Sequence, residues 1–213
     1  MSQLQEAHGQ VITSAEHLHR DAKGAKIGMW LFLFTELLLF TGMFLLYAAY
    51  RYIYSAEFHR AGLETNTLIG AFNTIILLTS SLTVAISIAA IERGEKRLSI
   101  AFLVTTVLLG FLFLVNKYFE WSSEISRGIY PASPKLMEQS NGENLFFGLY
   151  YAMTGLHGLH VVAGIIVLSS LVVLLVRNRI TQSDPVKLEN AGLYWHLVDI
   201  IWIFLFPLFY LIK

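Results

Sequence analysis

The sequence predicts an all-α polytopic membrane protein, a bundle of five transmembrane helices that follows a polar N-terminal segment. Five apolar stretches are each long enough to cross a bilayer, which takes about 20 residues. Hydrophobic residues make up 55% of the 213 residues and charged residues only 14%, whereas a soluble domain has about 25% charged residues. The apolar runs are also too long and too continuous for the alternating strands of a membrane barrel.

Composition also limits the classes of function. Lys plus Arg and Asp plus Glu are 15 each, so the net charge is zero and no nucleic-acid partner is expected. The absence of cysteine excludes disulfides, iron–sulfur clusters, thiolate zinc sites and c-type haem attachment. Residues 1–25 are polar and lack the apolar core of a signal peptide, so we expect a polar cytoplasmic tail there. Residues 26–213 then form a single transmembrane domain.

The first and second spans contain few polar groups. The first, residues 27–50, has one charge, Glu36, which lies about 15 Å along the helix axis from Lys26 and therefore near the bilayer midplane. A buried carboxyl that is hydrogen-bonded to a neighbouring helix is favoured over a proton-relay residue. The second, residues 65–91, contains Asn73 and Thr and Ser residues at i, i+4 spacing, which predict a helix–helix seam.

The third span, residues 98–116, ends at Lys117 and Glu120. These residues are at i, i+3 and can pair, and we expect an interfacial ion pair that snorkels to the outer membrane surface beside Tyr and Trp side chains. The longest loop, residues 122–143, follows. The fourth span, residues 145–176, is uncharged and longer than a bilayer requires, so it should tilt or protrude.

Three histidines and a carboxylate lie in the last two spans. His157 and His160 are at i, i+3 in the fourth span, and His196 and Asp199 are at i, i+3 in the fifth, residues 190–212. Imidazole is a common ligand of metals and haem. Three span histidines are too few for a haem-copper core, although they leave a single bis-histidine haem as an alternative, which would give the isolated chain a Soret band. A channel or transporter has little support, because no inverted repeat or broken helix pair is present.

A buried layer of polar groups is predicted near mid-membrane, because such groups cost roughly 3 kcal/mol each at that depth and should satisfy one another. We expect Glu36 to bond to His157, His160 or His196, and Asp199 to bond to His196 or to a Trp indole. The predicted members of this buried structural cluster are Glu36, Asn73, His157, His160, His196 and Asp199.

Orientation follows from the distribution of Lys and Arg between the two ends of the spans, since cytoplasmic loops carry the excess. Nine such residues lie on the side of the N-terminus and six on the other side. The nine are Arg20, Lys23, Lys26, Arg93, Lys96, Arg97, Arg177, Arg179 and Lys187. The N-terminus is therefore expected in the cytoplasm and the C-terminus outside.

Two strings carry a family resemblance: residues 155–161 (GLHGLHV) and residues 194–199 (YWHLVD). They resemble stretches on two helices of subunit III of the haem-copper respiratory oxidases, the cytochrome c oxidase type. Residues 35–44 are similar to the family's Glu-x-x-x-Phe-x-Gly-x-Phe pattern, and residues 72–81 to its Leu-Asn-Thr motif. Residues 117–121 fit the Lys-x-x-Glu-aromatic pattern of bacterial members, whereas mitochondrial members carry a carboxylate where Lys117 falls.

The resemblance covers about residues 26–210 and implies a five-helix bacterial form, equivalent to the last five of seven mitochondrial spans. It implies a non-catalytic subunit of a proton-pumping terminal oxidase in the bacterial inner (plasma) membrane. Such a subunit has no metal or haem of its own; haem and copper belong to subunits I and II. It packs on subunit I, and further expected partners are subunit II, a small subunit IV or a respiratory supercomplex.

The resemblance also implies bound phospholipid and a role in sustaining proton uptake and turnover lifetime. We expect acyl chains in a groove beside the first and second spans, with Arg93, Arg97 and Arg177 as head-group contacts. Subunit III of a quinol oxidase and an accessory subunit of a nitric oxide reductase are the alternatives. Quinol-oxidase versions tend to have Asp where Glu36 stands, so Glu36 favours the cytochrome c branch.

Overall fold

The computed structural model describes residues 2–138, 140–180 and 185–212, with side chains described from Lys23 onward except that of Glu138. The described chain is almost entirely helical. Its elements are α1 (Ser2–Ile53), α2 (Ser55–Glu64), α3 (Thr67–Glu92), α4 (Lys96–Ser126), α5 (Pro134–Glu138), α6 (Asn141–Val176), α7 (Val186–Phe206) and a π-helical turn (Pro207–Leu211).

Five helices are long and apolar enough to cross a membrane, as the sequence predicted. They lie in α1 from Lys23 to Ile53, in α3, in α4, in α6, and in α7 with the π-helical turn. The predicted end of the third span at residue 116 is wrong, because α4 continues to Ser126. The short helices α2 and α5 were not predicted. The division into a tail of residues 1–25 and a domain stays a prediction, since the side chains of residues 1–22 lie outside the described part.

Helix α7 is at the centre of the bundle and α1 is at its edge. Helix α7 packs against α1, α3 and α6, whereas α4 packs against α3 and α6. In its most apolar stretch, 50% of α7 is buried but only 11% of α1. A lipid-facing or partner-facing surface is therefore concentrated on α1.

Trp195 fills the space between α3, α4, α6 and α7. A Cβ atom at Gly164 would lie 2.7 Å from the Trp195 ring, and one at Gly110 would lie 2.8 Å from it, so only glycine leaves room for the indole at both positions. The indole Nε1 donates to Ser80 Oγ at 3.0 Å. This one side chain therefore fixes the spacing of four helices.

The π-helical turn follows from Pro207, which has no N–H to donate and so interrupts the backbone ladder at the end of α7. Three successive carbonyls of the turn accept side-chain hydrogen bonds instead: from Tyr47 Oη at 2.6 Å, from Thr65 Oγ1 at 2.9 Å and from Thr67 Oγ1 at 3.1 Å. The turn thereby holds the ends of α1 and α3 to the end of α7.

Candidate functional site

Lys117, Glu120, Tyr150 and Tyr210 form a closed polar network, here called the Lys117 cluster. Lys117 Nζ donates to Glu120 Oε2 at 3.0 Å, to Tyr150 Oη at 3.1 Å and to Tyr210 Oη at 2.9 Å. Both tyrosine hydroxyls then donate to Glu120 Oε1, at 2.9 Å and 2.6 Å. All three ammonium donors and both carboxylate oxygens are therefore satisfied.

The Lys117 cluster is buried inside the bundle. Lys117 is 7% exposed and Glu120 is 3% exposed, and the ammonium also lies 4.9 Å from the centre of the Tyr150 ring and 5.6 Å from that of Trp202. The ion pair forms, but the expectation that it snorkels to the membrane interface is wrong. Charges removed from water are stabilised only when every hydrogen bond is made, and here α4, α6 and the π-helical turn each contribute to the network.

The spacing along α4 explains why these charges face inward. Its buried residues recur alternately at intervals of four and three, which is one continuous face of a helix. They are Ser99, Leu103, Thr106, Gly110, Phe113, Lys117, Glu120 and Glu124. The charged residues continue the apolar face without a change of register, and that periodicity was the sequence signal for their burial.

Glu124 extends the cluster by one further turn and was missed by the sequence analysis. It is 2% exposed, and its Oε2 has no hydrogen-bond partner among the described residues. The Tyr151 hydroxyl lies beside the Glu124 carboxyl and donates to the carbonyl of Ile129 at 2.8 Å. The C-terminal end of α4 therefore carries two buried carboxylates and one buried ammonium.

Glu36 and His160 join α1 to α6. His160 Nε2 lies 2.8 Å from Glu36 Oε2, and His160 Nδ1 lies 2.8 Å from the carbonyl oxygen of Leu156. A carbonyl can only accept, so Nδ1 carries a proton and donates it. One further proton is then shared between Nε2 and the carboxyl. The sequence had offered three histidines as partners for Glu36, and the structure selects His160.

Asp199 does not bond to His196 or to a Trp indole, so that prediction is wrong. Ser81 Oγ lies 2.6 Å from His196 Nδ1 and also next to the Asp199 carboxyl, whose Oδ1 has no partner among the described residues. The indole of Trp195 donates to a hydroxyl of α3, as described above. The indole of Trp202 likewise donates to Thr74 Oγ1 at 3.1 Å. The α3 hydroxyls thus take the bonds that had been assigned to Asp199.

His157 and Asn73 are fully buried away from the other predicted members of the layer. The His157 ring packs against the rings of Phe113 and Trp202, and neither ring nitrogen has a hydrogen-bond partner within the described part of the chain. Asn73 Oδ1 accepts from Asn116 Nδ2 at 3.0 Å. The predicted polar layer is therefore distributed over several helix contacts, and within the described ranges no three His, Asp or Glu side chains could hold a metal ion.

Arg93, Arg97 and Arg177 are all exposed at the same end of the bundle. Lys96 ties their two turns together, since its Nζ donates to the carbonyl of Val176 at 3.2 Å and to Asn178 Oδ1 at 2.6 Å. All three guanidinium groups therefore lie on the exposed surface at one end of the described bundle.

Two grooves formed by described residues border α1, and both have α7 as a wall instead of the second span, α3, beside which the lipid groove was expected. The first, here called the α6-side groove, has a volume of about 460 Å³ and is lined by Met29 and Phe32 of α1, Val167 of α6, and Lys187 and Tyr194 of α7, among others. The second, here called the α7 groove, has a volume of about 250 Å³ and lies between α1 and α7 alone.

Comparison with known proteins gives consistent matches over nearly the whole chain. A family model for cytochrome c oxidase subunit III matches residues 7–213. Cytochrome c oxidase subunit 3 of Synechocystis sp. is 32% identical over 97% of this chain and 80% of its own length. Cytochrome bo(3) ubiquinol oxidase subunit 3 of Pseudomonas aeruginosa is 29% identical over 98% of this chain and 94% of its own. Heme-copper oxidase subunit I+III of Aeropyrum pernix is 28% identical over 86% of this chain and 22% of its own.

Proposed function

The chain belongs to the cytochrome c oxidase subunit III family, and we propose that it serves as the non-catalytic subunit III of a proton-pumping terminal oxidase that reduces oxygen to water. Family members are subunits of haem-copper oxidase complexes, so the chain is part of an oxidoreductase assembly and is a multi-pass membrane protein. In this proposal, subunits I and II carry the haem and copper, and this chain stabilises subunit I.

The use made of the buried charges supports a structural role. Lys117 and Glu120 bond to each other and to two tyrosines that belong to other elements, which uses every ammonium donor and both carboxylate oxygens. Glu36 is bonded to His160. The arrangement fixes helices to one another and leaves no group of the Lys117 cluster free to bind a substrate. Such a bundle offers subunit I a rigid surface, which is what a stabilising subunit must provide.

Copurification tests this function directly. The chain should be tagged in its native membranes, extracted in mild detergent and purified through the tag. We expect a larger, haem-bearing subunit in the eluate, and no haem in the pyridine haemochrome assay of the separated chain. Stoichiometric haem in the separated chain would replace the structural role by that of a membrane cytochrome.

Bound phospholipid is the second part of the proposal. The α6-side groove has apolar walls and the exposed ammonium of Lys187 at its edge, which suits an acyl chain with an anionic head group. Arg93, Arg97 and Arg177 supply further head-group contacts at that end of the bundle. Native mass spectrometry checks this with Ala163→Phe, which fills the groove, and Ala101→Phe, a matched exposed position on α4. Only the first variant should lose retained lipid, and equal retention would contradict the assignment.

Support of proton uptake and turnover lifetime completes the proposal, with the N-terminus in the cytoplasm and the chain in the bacterial inner membrane. Cytochrome c is the proposed electron donor, because Glu36 stands where quinol-oxidase versions tend to have Asp. The relative from Pseudomonas aeruginosa, a ubiquinol oxidase subunit, favours quinol as the second candidate. Oxygen uptake by the purified complex with reduced cytochrome c or with a quinol as the only donor distinguishes the two.

A further inference from the structure

The α7 groove is open to the membrane side of the bundle. Its α1 wall includes Trp30 and Phe34, whose side chains are 61% and 57% exposed. Its α7 wall includes His196 and Ile200, and Ile200 is 46% exposed. The groove is therefore a long apolar depression with one polar side chain in its lining.

Only one of the two ring nitrogens of this side chain, His196, has a hydrogen-bond partner among the described residues. His196 Nδ1 is bonded to Ser81 on α3, but Nε2 has no partner among the described residues. His196 is ten residues from the start of α7 at Val186, which is about 15 Å along the axis and well inside the apolar stretch. One turn further along α7, the buried Asp199 also has a carboxylate oxygen, Oδ1, without a partner in the described part of the chain.

A protein helix satisfies such a group and an acyl chain does not. Water is absent at this depth, and lipid tails have no donor or acceptor, whereas polar side chains of a neighbouring helix bond across helix contacts. The α6-side groove also has a polar atom without a partner among the described residues, Asn190 Oδ1, but Asn190 is only about one turn from the start of α7. It lies near Lys187 at the edge, where a lipid head group would sit, whereas His196 is ten residues in. The chemistry of the two grooves therefore indicates different occupants.

We propose that the α7 groove is the docking site for a transmembrane helix of the oxidase core subunit, and that a hydroxyl side chain of that helix bonds to His196 Nε2. A hydroxyl both donates and accepts, so it fits either tautomer of the imidazole. This inference rests on the proposed function. The relative from Aeropyrum pernix, which is named as subunits I and III in one chain, makes the core subunit the partner of choice.

Photo-crosslinking in the assembled complex tests the docking site. The chain has no cysteine, so Phe34→Cys and Ile200→Cys each introduce a single attachment point for benzophenone maleimide at the groove. Leu108→Cys is the matched control, because Leu108 is 62% exposed and α4 packs on α3 and α6, away from α1. The cysteine-free chain is the blank for labelling of partner subunits.

We expect illumination to join the tagged chain to the haem-bearing core subunit from positions 34 and 200 and not from position 108. Adducts to the core subunit from position 108 alone, or lipid adducts alone from the groove positions, would overturn the docking site while copurification left the proposed function standing. If the tagged cysteine-free chain retained no haem-bearing subunit, the proposed function itself would fail.

Three substitutions of His196 test the hydrogen bond. His196→Phe keeps a ring but removes both nitrogens, and it should reduce the core subunit retained in a detergent challenge by about three- to tenfold. His196→Gln restores a polar group near the position of Nε2, and His196→Asn restores one near Nδ1. Recovery of retention by Gln and not by Asn is expected. Recovery by Asn and not by Gln would show that only the contact with Ser81 matters and would overturn the bond to the partner.

Discussion

The Lys117 cluster and the Glu36–His160 pair both place ionisable groups inside the bundle, but they differ in closure. In the cluster, the side chains of Lys117 and Glu120 are 8% and 2% exposed, and every donor and acceptor of the two is used. In the pair, the side chains of Glu36 and His160 are 18% and 15% exposed, and a single hydrogen bond joins them. The closed network therefore shields its charges inside the bundle. The open pair involves α1, the least buried of the five spans, and its hydrogen bond is partly exposed on the lateral surface of the bundle.

The largest effect is expected from opening the closed network. Lys117→Met leaves Glu120 buried without its counter-charge, which should cost about 3–5 kcal/mol of stability. The double variant Lys117→Met/Glu120→Gln removes both charges and should recover most of the loss. Thermal unfolding of the purified complex measures both. If the single and double variants melted together, the charge pairing would not be what holds the outer end of the bundle.

Removal of the carboxyl from the open pair should have a smaller effect. Glu36→Leu leaves His160 Nε2 without its partner, which should cost about 1–3 kcal/mol and shorten the turnover lifetime of the complex. Glu36→Gln keeps a hydrogen bond and should leave proton pumping nearly intact. Pumping by the reconstituted complex is the measurement. Loss of pumping in an assembled Glu36→Gln complex would make the pair a proton relay instead of a structural contact.

Loss of one hydroxyl from the closed network should be no larger than the loss of the Glu36 carboxyl. Tyr210→Phe removes the bonds of that hydroxyl to Lys117 and Glu120 but leaves their direct contact, and it should cost about 1.5–2 kcal/mol in thermal unfolding. Tyr52→Phe is the matched control, since Tyr52 is 90% exposed and should be neutral. A loss as large as that of Lys117→Met would mean that Tyr210 alone holds the network closed.

The smallest effect is expected at a surface ion pair that joins α1, the helix that carries Glu36, to α7. Lys26 Nζ lies 2.7 Å from Glu189 Oε2, with the Lys26 side chain 49% exposed. Lys26→Ala should change stability by less than about 0.5 kcal/mol, and the change should disappear in high salt. A loss comparable to that of Glu36→Leu would show that α1 is held mainly by its charged end.

The sequence predicts a bond from Glu36 to one of three histidines and an ion pair between Lys117 and Glu120, but not the two tyrosines that close the network. Counting residues from the helix ends places Glu36 and His160 at similar depth, where groups that are costly to bury favour pairing, although His157 at that depth has no hydrogen-bond partner among the described residues. The predicted third span ends before Lys117, the first charged residue after its apolar stretch. The spacing of buried residues along α4 nevertheless continues through Lys117 and Glu120. Tyr210 could not be assigned to them, because only the π-helical turn at Pro207 brings it to α4.

The hydrogen bonds of the Trp195 and Trp202 indoles also differ from what the sequence predicts. The sequence predicts a Trp indole as one possible partner of Asp199, and Trp195 and Trp202 lie within about a turn of Asp199 on the same helix. Their rings instead reach Ser80 and Thr74 on α3. Which face of α7 meets α3 depends on close packing at glycines such as Gly164, and a single sequence does not give helix rotation about its own axis.

The π-helical turn also imposes an order on biosynthesis. Tyr210 is synthesised 93 residues after Lys117. The carbonyls of Leu208 and Phe209, which accept from Tyr47 and Thr65, are likewise synthesised long after those two side chains. During translation, α4 is therefore complete before either of its two tyrosine partners exists: Tyr150 follows Lys117 by 33 residues and Tyr210 by 93. The network of Lys117 and Glu120 can therefore close only after residues 207–211 have been synthesised, which makes this turn the last element to join that end of the bundle.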